Sequence, residues 1–177
     1  MEVGWCDFTR KGDIMRLTSA EAAKYLRSLN GDYYHLLHKE GECYTFVASV
    51  QEDIEECRPE YDYKKVQKML IDIEEEIRRV KHAINVFNST TIVPGFDMTI
   101  DELLVYMPQL SSRLNKLDRM RNMEPRVRKN VDYGVIDYLY ANYDIKEVEE
   151  DYKELSLLLS KAQLALDKLN STVTFEI

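Results

Sequence analysis

The feature that most constrains this chain is a long helical pattern that occurs twice at a fixed offset. Val66, Leu70, Ile73, Ile77, Val80, Ile84 and Phe87 recur at alternating steps of four and three. That spacing lays an apolar stripe along one face of an α-helix. Glu74, Glu75, Glu76, Arg78 and Arg79 fill the outward positions. Moved by 82 positions, Tyr61-Asp62 falls on Tyr143-Asp144, Lys64 on Lys146, Val66 on Val148, Ala83 on Ala165, and Asn88-Ser89-Thr90 on Asn170-Ser171-Thr172. Moved by 81, Thr18, Glu21, Tyr25 and Leu29 fall on Thr99, Glu102, Tyr106 and Leu110. Any two heptad helices share apolar positions, but they do not thereby share cap residues and length. The match predicts a pseudo-twofold internal repeat with halves 18–98 and 99–177, inside one helical domain spanning 18–177.

Taken in order, Thr18 with Glu21 forms a capping box, and Ala22, Leu26, Leu29, Tyr33 and Leu36 carry a first helix to about Gly41. Tyr44, Phe46, Ala48 and Val50 alternate, which favours a short strand, although Val47 fills the other face and a continuation of the first helix is the alternative. Pro59 breaks the pattern, and Asp62 caps the second helix, which closes at Asn88-Ser89-Thr90. Thr91-Ile92-Val93 reads as extended and Pro94-Gly95 as a turn. Thr99 with Glu102 opens a third helix with Leu103, Met107, Leu110, Leu114 and Leu117, interrupted by Pro108. Met123 to Tyr133 reads as a polar connection and Ile136 to Tyr143 as a strand. Asp144 with Glu147 opens the last helix (Val148, Tyr152, Leu155, Leu159, Ala162, Leu166, Leu169), followed by a strand through Val173, Phe175 and Ile177. The fold class expected is mainly α: an elongated, antiparallel four-helix bundle with a few short β-strands collected at one end.

Residues 1–17 have no periodicity and are expected to form an N-terminal arm. Codons for Lys11-Gly12-Asp13 can spell a purine-rich ribosome-binding sequence just before Met15. The native start is therefore expected at Met15, with Met1–Ile14 a start-site artefact or a disordered segment.

A formal net charge of -8 argues against nucleic acid, whose phosphates are bound mainly by Lys and Arg. The one basic run, Arg113 to Lys129, is interleaved with a helical apolar stripe and reads as a solvated face. Cys6, Cys43 and Cys57 are an odd, widely spaced set that supports neither a disulfide framework nor a zinc knuckle. No stretch approaches the roughly 20 apolar residues of a membrane span, and the N-terminus lacks a signal-peptide pattern. A cytoplasmic location follows as the expectation, without stable membrane insertion.

Chemistry-bearing patterns are sparse. His35, His38 and Glu42 share one helix face, but the Glu-x-x-His pattern of di-iron bundles is missing, since Arg79 stands three positions before His82. No metal or other cofactor is expected. Asn85 lies between seam positions Ile84 and Phe87, and Asp167 is its counterpart; polar groups there fix register or line a pocket. With Asn88 and Asn170 they form the candidate ligand-binding set, its ligand unknown. Of the twelve tyrosines, Tyr44, Tyr61, Tyr138, Tyr140 and Tyr143 lie near extended segments and read as aromatic packing at the helix ends. No phosphate-binding Gly loop, nucleophile elbow or Cys-His pairing is present.

Three stretches carry a resemblance: Ile84-Asn85-x-x-Asn88-x-Thr90-Thr91, Met98 to Leu104, and Leu166-Asp167 through Thr172-x-Thr174-x-Glu176. Together they resemble the septicolysin-like family of small bacterial helical proteins of unknown function, from about Val66 onward. Ser171 stands where that family has Trp, and Pro108 interrupts the third helix. The resemblance implies a mostly helical, oligomeric, cytoplasmic protein and carries no catalytic residues. Its cytolysin label implies pore formation, which an acidic chain without a membrane-spanning stretch does not support. The reading is a self-associating, homo-oligomeric helical interaction module without catalysis; the alternative is a ligand-binding or enzymatic bundle with a polar site near the two Asn-Ser-Thr ends.

Overall fold

The computed structural model describes residues 14–129 and 136–177. It is mainly helical. In order come β1 (Arg16–Thr18), α1 (Ser19–Cys43), α2 (Ile54–Cys57), α3 (Tyr63–Thr90), β2 (Ile92–Val93), β3 (Met98–Thr99), α4 (Ile100–Arg121), β4 (Arg126–Arg128), β5 (Tyr138–Tyr140), α5 (Ile145–Thr172) and β6 (Thr174–Glu176).

The helices start where the side chains offer caps. Thr18 and Thr99 each accept from the backbone N–H three residues on, while Glu21 and Glu102 reach back to the cap N–H, so both capping boxes are complete. Asp62 accepts from Lys65 N at 3.1 Å ahead of α3, and Asp144 accepts from Lys146 N at 2.7 Å ahead of α5. Pro108 lies inside α4 without ending it; the helix forgoes one backbone hydrogen bond there. Gly95 has φ 86° in the β2–β3 turn, a backbone state open to glycine at little cost.

The chain divides into two compact units. One holds the described residues up to Phe87 together with Asn170–Ile177; the other is Asn88–Leu169. In the first unit α1 and α3 are antiparallel, because their contacts run in opposite order: Tyr25 to Glu76, Tyr33 to Glu74, Glu40 to Gln67. Leu36, Val66, Leu70 and Ile73 form a buried cluster covered by Tyr33, Tyr61, Met69 and Ile77. At the other end of this unit β1 pairs antiparallel with β6, Leu17 opposite Phe175, and Phe175 stacks on Phe87 with ring centroids 4.6 Å apart. In the second unit β2 pairs with β3, Ile92 opposite Thr99, and β4 with β5, Val127 opposite Leu139. Its buried side chains include Val93, Ile100, Leu103, Leu110, Val148, Leu155, Ala162 and Leu166.

The structure departs from the sequence reading in three places. Tyr44 to Val50 is not a strand: it is irregular and leads into the one-turn α2. Val47 and Val50 are almost fully exposed there, at 94% and 106%; an alternating pattern makes a strand only where a partner strand is within reach. The polar connection after α4 contains β4, which pairs antiparallel with β5. The N-terminal arm ends earlier than residue 17, since Arg16 and Leu17 belong to β1 and pair with the far end of the chain. Met1–Asp13 lie outside the described residues, as does the Asn130–Tyr133 part of the connection.

Candidate functional site

The cleft with the most developed chemistry lies where α1 ends and α3 begins. It has a volume of about 590 Å³ and is lined by Leu37, Glu40, Gly41, Tyr44, Tyr61 and Tyr63. Helical spacing explains how a carboxylate comes to be there. Leu29, Tyr33 and Leu36 step along α1 by four and three, and the next step of four is Glu40, so a charged residue occupies the last seam position. On α3, Val66 and Leu70 hold the same seam, and Gln67 stands beside it.

The Glu40 side chain is half-buried and held by two neutral donors. The Tyr61 hydroxyl donates to Glu40 Oε1 at 2.7 Å, and the Gln67 amide Nε2 donates to the same oxygen at 2.9 Å. Among the described residues Oε2 accepts no hydrogen bond, and no Lys or Arg pairs with this carboxylate. The hydrogen bond to Glu40 pushes the Tyr61 phenol up to about 12, with desolvation adding to it. Tyr44 and Tyr63 are more than half exposed, at 63% and 62%, and form the outer walls. A smaller cavity of about 240 Å³ shares Glu40 and Tyr61 and is lined also by Lys39, Glu42, Glu60, Asp62 and Lys65, so acids outnumber bases around it.

Two further polar clusters are structural in form. Glu76 Oε1 accepts from Tyr25 at 3.1 Å and from Arg79 at 2.7 Å, tying α1 to the middle of α3. In the second unit Arg121 pairs with Asp118 at 2.9 Å and Glu149 at 3.2 Å and lies 3.9 Å from the Tyr152 ring centroid. This holds Glu149 below the usual carboxylate range, chiefly through the Arg121 hydrogen bond. The basic run thus spends Arg121 internally, and Arg126 stacks over Tyr138.

Of the residues singled out in the sequence, Asn85 and Asp167 are exposed on α3 and α5, and Asn88 and Asn170 are half-buried. Asn85 and Asn170 fall in the first unit, Asn88 and Asp167 in the second. None of the four lines either cavity described above. His35, His38 and Glu42 are exposed, with His38 3.6 Å from Glu42. Among the described residues no group of three His, Cys, Asp or Glu side chains could hold a metal ion. No described helix is long and apolar enough to cross a membrane. Tyr44 and Tyr61 were legible as helix-end aromatics; Glu40 was not singled out, although its signal, an acid at the next seam step, is in the sequence.

No family model matches the chain, and no curated protein matches it. Among solved structures, the chain is similar to the crystal structure of a functionally unknown conserved protein from Corynebacterium diphtheriae. That likeness has a TM-score of 0.54 at 15% identity and covers 91% of this chain and 99% of that one. At this identity it speaks for the fold alone.

Proposed function

We propose that this chain is a non-catalytic helical module that associates with copies of itself and that arose by internal duplication. The observation carrying self-association is on α5, where Leu157 and Leu164 stand seven residues apart and are 57% and 70% exposed. Seven-residue spacing puts both on one helix face, the arrangement that seats a partner helix by knobs-into-holes packing. Leu104 and Val105 of α4 add apolar surface in the same unit, at 45% and 63% exposed.

The duplication is supported by the elements themselves. α3 and α5 are both 28 residues long. β1 and β3 each enter a capped helix, and each pairs with a strand that follows a long helix, β6 and β2 respectively. Glu40 and Gln67, bonded in the first unit, stand 81 and 82 positions before Arg121 and Glu149, bonded in the second. The same pairing recurs with acceptor and donor exchanged.

Light scattering over a concentration series tests the assembly. The wild type is expected above monomer mass at roughly 100 μM, and Leu157→Lys with Leu164→Lys is expected to return it to monomer mass. A wild-type monomer throughout, or a crystal interface below ~1,000 Å², overturns the reading.

A further inference from the structure

The cleft at the α1–α3 end combines tyrosine walls with a carboxylate that pairs with no Lys or Arg among the described residues, and it adjoins the smaller cavity in which acids outnumber bases. We propose that it binds an organic ammonium cation, with Glu40 as counter-ion and Tyr44, Tyr61 and Tyr63 enclosing the alkyl part.

Glu40 Oε1 is already occupied by Tyr61 and Gln67, which fix the carboxylate in place, while Oε2 is left to accept from an incoming donor. An ammonium N–H meets that need, because a charge-assisted bond to a partly desolvated carboxylate is about twice as strong as a neutral one. Aromatic rings attract cations through their quadrupole, and three tyrosines with Leu37 supply both that attraction and apolar contact for a short alkyl chain. The volume is in the range of small-ligand sites. Glu42, Glu60 and Asp62 outnumber Lys39 and Lys65 beside it, so the local field favours a cation over an anion.

On the duplication proposed above, the counterpart positions in the second unit carry a different set of side chains. At the positions 81 beyond Glu40 and Tyr44 stand Arg121 and Pro125, and at the positions 82 beyond Gln67 and Tyr63 stand Glu149 and Ile145. There the acid has its own guanidinium, and two of the tyrosine walls are missing. A polar pair joins the two helices in both units, but only the first unit adds tyrosine walls at Tyr44 and Tyr63. The proposal does not depend on self-association, and only this comparison between the two units rests on the duplication proposed above.

The test is an amide NMR titration at constant ionic strength. The probes are n-butylammonium as a free amine, the lysine side chain of an acetylated, amidated lysine, and 1-butanol as the neutral control. Saturable shifts in the millimolar range are expected for the ammonium probes at Leu37, Gly41, Tyr44 and Tyr63, with none for 1-butanol. Tighter binding of the lysine derivative identifies a protein side chain as the natural ligand, and tighter binding of butylammonium a free amine; either sustains the proposal. Glu40→Gln keeps the acceptor and removes the charge, and is expected to weaken binding at least about tenfold, while Tyr63→Leu weakens it severalfold with the fold intact by circular dichroism. Absence of saturation at tens of millimolar, equal binding of 1-butanol, or unchanged affinity in both variants overturns it.

Discussion

Leu29 of α1 and Leu110 of α4, matched by the duplication proposed above, are 1% and 0% exposed. Truncating either to Ala removes three buried carbons, about 2.4 kcal/mol at ~0.8 kcal/mol per methylene. The vacated space adds a cavity contribution of about 24 cal/mol per Å³ that the surroundings do not refill. Each seam is flanked by half-buried neighbours, such as Leu26 and Tyr33 beside Leu29, so partial collapse keeps this second part small. The expected cost is about 3 kcal/mol for Leu29→Ala and the same for Leu110→Ala. At an m-value of ~2 kcal/mol/M, each moves the urea midpoint of the helical circular dichroism signal down by ~1.5 M. A cost below about 1 kcal/mol at either site would refute the reasoning, because it would mean that the seam leucine is not enclosed. Unequal costs, differing by more than about twofold, would count against the two helices holding equivalent places.

Two pH dependences follow from the hydrogen bonds. Glu21 and Glu102 are held below the ordinary carboxylate value of 4.5, first by the backbone N–H of Thr18 and Thr99 and then by their hydroxyls. Their folded values are depressed, so the stability they contribute is present above 4.5 and is lost as pH falls through the depressed values. Glu21→Gln combined with Glu102→Gln should flatten the acid limb of a stability-against-pH curve, and an unchanged acid limb would count against the capping contribution. Tyr61 has the opposite sign. Its value is raised from 10.0 to about 12, so its contribution is complete below pH 10 and disappears between 10 and 12. Tyr61→Phe should remove that part of the alkaline decline, read by helical circular dichroism over the same window.

What the sequence made legible follows the range of the interactions involved. Capping boxes act within four residues, and both Thr18–Glu21 and Thr99–Glu102 form as their spacing implies. Apolar seams act within a turn or two, and Val66, Leu70, Ile73, Val80 and Phe87 are all buried. Strands depend on partners elsewhere in the chain: β2, β5 and β6 lie where the sequence reads as extended, but two other readings failed in opposite directions. Tyr44 to Val50 alternates without a partner, whereas Arg126–Arg128 looks like a polar connection and pairs with Tyr138–Tyr140. The polar candidates show the same limit. Asn85 is one residue past a seam position, and one residue is a rotation of about 100° on a helix, enough to carry its side chain into solvent. Glu40 is on the seam itself, yet only its position opposite Tyr61 and Gln67 on α3 turns an odd acid into a held carboxylate.

The pairing of β1 with β6 also has a consequence for chain order. Met15 N donates to Ile177 O at 3.3 Å and Ile177 N to Met15 O at 3.0 Å, so the two extremities of the described fold are hydrogen-bonded to one another. β2 and β3 are joined in a similar antiparallel ladder, but there the covalent chain turns through Pro94 and Gly95. Among the described residues the connectivity from Met15 to Ile177 has a peptide link at one ladder and hydrogen bonds at the other. A circular permutant that bridges Ile177 to Met15 and opens at Pro94–Gly95 would preserve every described helix and strand and their cyclic order. Such a permutant is expected to keep the helical circular dichroism of the parent, and loss of that signal would show that the Pro94–Gly95 link is needed.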